Sequence, residues 1–403
     1  METTVTYHDT IVDQGRGNPC IEALNPVISD TELTKKLLRK PAFKRPDINL
    51  PSHLRRQSLA IIEEVYTPLP HVLRLGRSVD DTMRCGLMNR NPMAIGYWNE
   101  DAKQWQPRVR SIGHQPITGI NFGGEGGLGK TITVKNLLGQ QQQVIRHTTY
   151  KPACYAEAKR MPGLEHLKES QPFPHVQLTY LFVECSPSYA PTAMAQAIFT
   201  AADEALGNTD YTTRYGKGNL PTLERNAFRL ARNHSLGILV VDEVQRIIAC
   251  KSTINFLISL NNVMKVPIMF VGTKESIAMF ESDPSLARRG NKMGDHKWER
   301  MDWNKEEGKK SWTLLMKTLW PYQVLRDIGD LTDEICKEFW EGSKGIPDYG
   351  VKLFRAAQCR ALDSKIENLT PEVIRSACDG TNFSRLLLDK PEEHEKRYGA
   401  KRR

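Results

Sequence analysis

Gly124 to Thr131 reads GEGGLGKT, and no other stretch of the chain restricts the fold as strongly. It fits G-x-x-x-x-G-K-[ST], in which glycines let consecutive backbone N–H groups face phosphate oxygens while the lysine reaches the outer phosphates and the hydroxyl a magnesium ion. In this reading Gly124, Glu125, Gly126, Gly127, Leu128 and Gly129 form the cradle, Lys130 and Thr131 supply the cation and the metal contact, and Ile132 closes the set. The flanks agree. ITGINF at 117–122 predicts a short buried strand, and ITVKNLL at 132–138 predicts a helix whose N-terminus points at the anion. Strand, glycine loop and helix in that order predict a bound nucleotide.

A second constellation follows in Gly237 to Glu243, GILVVDE. Its aliphatic run predicts a strand buried on both faces, and the acidic pair falls at the strand end, where parallel sheets place ligands. Asp242 is expected to hold magnesium through its water shell, and Glu243 to orient and polarise the water that attacks the terminal phosphate. Another buried strand, VPIMFV at 266–271, ends in Gly272-Thr273. The Thr273 hydroxyl is placed either to report a γ-phosphate or to cap the next helix. Beyond Pro284, Arg288 and Arg289 form an arginine pair suited to reaching a neighbouring molecule's nucleotide and stabilising phosphoryl transfer.

Between these strands the period changes from two to three and a half. QLTYLFVEC at 177–185 reads as one strand, and helices are expected over Pro191 to Leu206, Leu220 to His234 and Thr253 to Met264. The alternation implies an α/β domain with a mostly parallel sheet. On the helix from Leu220, Leu223, Ala227 and Leu230 point inward, while Arg225, Arg229 and Arg232 recur along the other side. The preceding loop adds Tyr211, Arg214, Tyr215 and Lys217. That mixture either grips phosphates and sugars or is an ordinary solvated face.

The chain ends differ from this core. Residues 1–57 are interrupted by prolines and rich in lysine and arginine, which suits an arm docking on DNA or protein, or a solvated tail. Residues 58–115 are expected to form a helical layer, with Ser78 and Asp81 opening a helix that runs to Arg90. The α/β domain takes 116–325, and 326–403 reads as a helical lid with a basic tail. The net charge of +9 favours polyanionic partners. No membrane span or apolar signal core is apparent, so the expected setting is the cytoplasm, and the eight scattered cysteines read as reduced thiols.

Taken together, these motifs resemble the AAA+ ATPases, and within them the TnsC regulators of Tn-seven-like bacterial transposons, some of them CRISPR-associated. The residues that carry the resemblance are NPCIEALNP at 18–26, GEGGLGKT, Glu184-Cys185-Ser186, GILVVDEVQ at 237–245, VPIMFVGT at 266–273, ARRG at 287–290 and VKLF at 351–354. The resemblance implies an AAA+ P-loop NTPase core, three-layer αβα, with an N-terminal helical extension and a C-terminal helical lid. It implies ATP and Mg2+ as cofactors, and self-assembly as a ring or helix on double-stranded DNA without sequence preference, close to the bacterial nucleoid. It further implies partners in transposase subunits and in a target-selection protein of the TnsD or TniQ type. Residue by residue, Lys130 and Thr131 are then the phosphate-loop pair, Asp242 and Glu243 the magnesium and catalytic acids, and Thr273 the first sensor. Arg288 and Arg289 are the trans-acting fingers, and Lys352 stands where the lid's second-sensor arginine is usual. Arg214, Lys217, Arg225 and Arg229 are the expected DNA contacts. Two other readings share the ATPase core: a helicase loader or DNA-replication ATPase, and a nucleotide-dependent scaffold with little hydrolysis.

Overall fold

The computed structural model describes residues 5–88, 90–94, 96–99, 104–107, 119–161, 163–185, 188, 190–247, 250–276 and 295–379. The chain divides into two compact units, Met1–Ser29 with Arg74–Gly124 and Lys130–Lys297, and Asp30–Leu73 with Glu125–Gly129 and Trp298–Arg403. In chain order the strands are β1 (Gly96–Asn99), β2 (Gln104–Pro107), β3 (Ile120–Gly124), β4 (Val144–Tyr150), β5 (Gln171–Leu178), β6 (Tyr180–Glu184), β7 (Ile238–Asp242), β8 (Ile268–Gly272) and β9 (Asp295–Trp298).

The first unit is built on a five-stranded sheet of order β6-β7-β8-β3-β9, in which β6/β7, β7/β8 and β3/β8 pair in parallel. Every residue of β7 is buried, as expected for a strand covered on both faces. The helices Pro191–Leu206, Leu220–Asn233 and Lys251–Met264 supply Met194, Ile198, Phe199, Leu223, Leu230 and Leu257 to one core with Leu181, Val183, Leu239 and Val241. Parallel register aligns the strand ends, setting Glu184 beside Asp242 and Gly123 beside Gly272. All the acidic and glycine-rich ends therefore gather on one edge of the sheet.

Three sequence expectations are corrected here. The run 177–185 is two strands, because β5 ends at Leu178 and pairs antiparallel with β4, while β6 opens the parallel sheet at Tyr180. Thr179 at the break is fully buried, and its hydroxyl donates to the Gln142 carbonyl at 2.8 Å. That bond turns the chain from one sheet to the other. Ser78 does not open a helix, since the helix runs Pro70–Met88 with proline pre-set for its first turn. The Ser78 hydroxyl lies 3.0 Å from His296 Nε2 instead, while Val79, Met83 and Leu87, spaced along one face of the helix, are buried. Third, β5 already begins at Gln171, ahead of the strand start expected at Gln177.

Neither stretch of the N-terminal segment is a solvated tail. In the first unit Asn18 caps the helix Pro19–Glu22 and donates to Leu87 O at 3.0 Å. Glu22 is buried and accepts from Gly17 N, Tyr150 Oη and Ala153 N at 2.8, 2.9 and 3.0 Å. In the second unit Arg55 is 2% exposed and donates to both Glu367 oxygens, at 2.8 and 2.6 Å, and to Val324 O at 2.9 Å. Arg56 pairs with Asp363, and Arg45 donates to Arg326 O at 2.8 Å. These basic residues of the arm are spent within the chain itself. Removing one partner of such a buried pair costs roughly 3–5 kcal/mol. The remainder of this unit is helical, Glu306–Leu319, Asp333–Ser343, Pro347–Ser364 and Pro371–Asp379, around Trp312, Phe339 and Phe354.

The sheet of β4 and β5 carries a buried polar row. His147 lies 2.8 Å from Tyr7 Oη and 3.0 Å from Gln177 Oε1, and His175 lies 3.0 Å from Ser235 Oγ. Burial pulls His147 down to about 4 and His175 down to about 3, the latter helped by the neighbouring His147 and His234. Both folded values lie below the ordinary 6.5, so the unfolded chain takes up protons that the folded chain refuses. Their contribution is constant above about pH 6.5 and is lost as pH falls below it, by up to about 1.4 kcal/mol per histidine per pH unit. Burial raises the Glu22 carboxyl, which acts in the opposite sense as pH rises above the ordinary carboxyl range, so the histidine part is read by difference. His147→Gln with His175→Gln is expected to lose less melting temperature between pH 7 and pH 5 than the parent. Parallel melting curves over that range would contradict the assignment.

Candidate nucleotide site and cationic surface

In the first unit, the phosphate-loop helix Lys130–Leu138 begins with the motif's own cation and hydroxyl. Lys130 Nζ donates to Gly124 O at 2.8 Å, back across the loop entrance. Thr131 Oγ1 donates to Asp242 Oδ2 at 2.6 Å. Residues far apart in sequence thus meet because β3 and β7 end on the same sheet edge. Asp242 is 3% exposed, and its second oxygen accepts from Glu243 N at 2.8 Å.

Glu243 leaves the strand in the left-handed region, φ 57° and ψ 38°, a conformation that costs a non-glycine residue of order 1 kcal/mol. Gln245 Nε2 donates to Glu243 Oε2 at 2.5 Å, and Arg246 Nη2 stands 3.7 Å from the same oxygen. Arg246 also holds Glu184 Oε1 at 2.9 Å and Cys185 O at 3.1 Å. The carboxylate of Glu243 is therefore aimed by side chains rather than left to solvent. Thr273 directly follows β8, and its carbonyl accepts from Ser276 Oγ at 2.6 Å.

The loop residues Glu125–Gly129 belong to the second unit. Gly127 and Gly129 have φ of 78° and 81°, which β-branched or bulky residues almost never adopt. Gly127 O accepts from Asp348 N at 3.2 Å, and a Cβ at Gly127 would stand 2.9 Å from Ile346 Cγ2. Glu125 pairs with Arg300, and Lys352 Nζ donates to Asp348 Oδ2 at 2.6 Å. Leu128 is buried, whereas Ile132 is half exposed. Sequence reasoning missed Arg300, Asp348 and Arg246, none of which sits in a phosphate-binding pattern. Gln245 lay within the quoted GILVVDEVQ run but carried no role. Arg288 and Arg289 lie outside the described residues.

On the outer side of the helix Leu220–Asn233, Arg225, Arg229 and Arg232 are exposed, and among the described residues no carboxylate pairs with them. Lys217 is exposed, and Arg214 is exposed beside Asp210 at 3.3 Å. The turn Tyr211–Tyr215 is held by buried Asp203, which accepts from Tyr211 N and Thr212 N at 2.9 and 2.8 Å. Tyr211 packs against Tyr215 with ring centroids 5.6 Å apart.

Residues 121–280 match the family model of the AAA domain, and that span contains the loop, the acidic pair and the parallel strands. That span has an AAA+ P-loop fold. No curated protein matches the chain. Among solved structures, it is similar to the Aeropyrum pernix ORC2 protein, at 13% identity and TM-score 0.43, covering 75% of this chain and 66% of that one. It is also similar to the Aeropyrum pernix ORC1 protein in complex with DNA, at 15% identity and TM-score 0.44, covering 80% and 68%. The Thermotoga maritima RuvB Holliday junction branch migration motor follows at 12% identity and TM-score 0.35, covering 66% and 62%. The chain thus spans just under two thirds of the ORC2 and RuvB chains that it matches. Among the described residues of this AAA+ fold, no helix is long and apolar enough to cross a membrane.

Gly127→Ala combines an unfavourable φ with a clash at Ile346, so it is expected to weaken binding of a fluorescent adenine nucleotide by at least about tenfold. Equal affinity in a direct titration would show that the loop does not hold the ligand in this conformation.

Proposed function

We propose that this AAA+ protein is an ATP-hydrolysing regulator that assembles on duplex DNA and connects a target-selection protein of the TnsD or TniQ type to a transposase. The observation that carries the ATPase reading is the 2.6 Å bond from Thr131 to Asp242, with Glu243 next in the chain. Each group has a separable task. Lys130 neutralises the outer phosphates, Glu243 accepts a hydrogen bond from the attacking water and orients it, and Gln245 and Arg246 keep that carboxylate aimed.

Magnesium fits the residues present. A hydroxyl and a carboxylate oxygen 2.6 Å apart are hard donors on one side of the site, and among the described residues no cluster of three or more His, Cys, Asp or Glu forms an all-protein cage. Thr131 and Asp242 would hold the ion, Asp242 through water, with the rest of its shell left to phosphates and solvent. The bound ion supplies charge neutralisation across the phosphate oxygens. Arg288 and Arg289 are proposed to act on a neighbouring protomer's nucleotide, Thr273 as a first sensor, and Lys352 as the lid cation. Such an interface makes self-assembly and nucleotide state thermodynamically linked.

Support for DNA comes from the cationic face. Arg225 and Arg229 are solvent-facing charges without an acidic partner among the described residues, and the chain carries a net charge of +9. With Arg214 and Lys217 they are proposed to contact phosphates, which gives affinity without sequence preference. The transposition role is supported by the TnsC-like order of DEVQ, the GT strand end, ARRG and VKLF.

The Arg225→Ala, Arg229→Ala double variant is expected to weaken duplex binding equally on unrelated sequences. It should also flatten the slope of log affinity against log salt by up to about 1.8. Parental affinity and slope in filter binding would remove the DNA assignment. A preference for single strands over duplex would instead favour the helicase-loading reading, and phosphate release that duplex DNA leaves near zero would favour the scaffold.

A further inference from the structure

The phosphate loop carries a carboxylate. Glu125 follows the last residue of β3 directly, inside a loop whose other side-chain-bearing residue before Lys130 is Leu128. A fixed negative charge at that place opposes any polyanion the loop accepts. Within the second unit, to which this loop belongs, Glu125 is ion-paired with Arg300, a residue just beyond β9. The same unit brings another acid to the loop in Asp348, whose backbone N–H binds Gly127 O at 3.2 Å. Its carboxylate is matched by Lys352 at 2.6 Å. Each acid at the loop therefore has its own base, and the base at Glu125 comes from a part of the sequence with no phosphate-binding pattern.

We propose that Arg300 is a positioning residue for nucleoside polyphosphate binding, which acts by neutralising Glu125 and holding its carboxylate back from the anion. The inference rests on the nucleotide reading given above. Its physical content is charge compensation, and that sets it apart from a merely structural contact. Without Arg300, one like charge within about 6 Å of a bound phosphate is enough to weaken binding by about tenfold, equivalent to about 1.4 kcal/mol. The penalty must grow with the ligand's charge, from adenosine through ADP to ATP. It must vanish when Glu125 loses its own charge.

The test is a titration of the full chain with adenosine, ADP and a slowly hydrolysed ATP analogue. Parent, Arg300→Gln, Arg300→Lys, Glu125→Gln and the Arg300→Gln, Glu125→Gln double variant are compared, with Lys130→Ala as reference. Arg300→Gln is expected to lose about tenfold for the ATP analogue, less for ADP and nothing for adenosine. Arg300→Lys and the double variant should return to within about threefold of the parent, and Glu125→Gln alone, which leaves the Arg300 charge uncancelled, should bind the ATP analogue more tightly than the parent. A loss that is the same for all three ligands, or that Glu125→Gln does not restore, overturns the inference and leaves Arg300 a structural contact. No loss in Arg300→Gln overturns it as well. If the parent itself binds no better than Lys130→Ala, the nucleotide reading has failed, and this inference falls with it.

Discussion

The hydroxyl of Thr131 bonded to the carboxylate of Asp242 is the contact on which the rest depends. It joins the first turn of one helix to the end of a buried strand, and it exists only because β3, β8 and β7 lie side by side in parallel. Parallel pairing requires helical crossovers, and those crossovers are the helices whose apolar faces bury the sheet. The same geometry brings Glu184, Asp242 and the Gly272-Thr273 end to one edge. Fold and candidate chemistry follow from one arrangement.

Within each unit, charge is distributed with a consistent logic. The acids near the loop and the strand ends are held by bases or amides: Glu125 by Arg300, Asp348 by Lys352, and Glu243 by Gln245 and Arg246. Buried Arg55 is likewise matched by Glu367. The arginines of the helix Leu220–Asn233 stand apart, since they face solvent and among the described residues no carboxylate pairs with them. Compensation inside and excess charge on one outer face is what an anion-binding surface requires.

Much of this was legible in the sequence because its signals are local. GEGGLGKT and GILVVDE each specify their own backbone, by glycine spacing in one and by aliphatic burial in the other, and both lie in the elements expected of them. The misreadings have a common physical cause, a tertiary partner that overrides a local pattern. The break at Thr179 depends on a carbonyl at Gln142, and the apparent cap at Ser78 loses to a helix already running from Pro70. Arg55 looked like part of a partner-facing arm, yet its carboxylate partner lies 312 residues away. Arg300 could not be found at all, because nothing near it in sequence mentions phosphate.

The central claim is that nucleotide held at this edge controls how long the protein stays on DNA. Glu243→Gln keeps the shape of the site and removes the carboxylate that orients water, so it isolates turnover from binding. The decisive measurement is the lifetime of the protein on duplex DNA with ATP and magnesium, followed with phosphate release for parent and variant. The account predicts that the variant binds ATP, releases almost no phosphate and stays on DNA at least about tenfold longer. Equal lifetimes, with turnover abolished only in the variant, would contradict it.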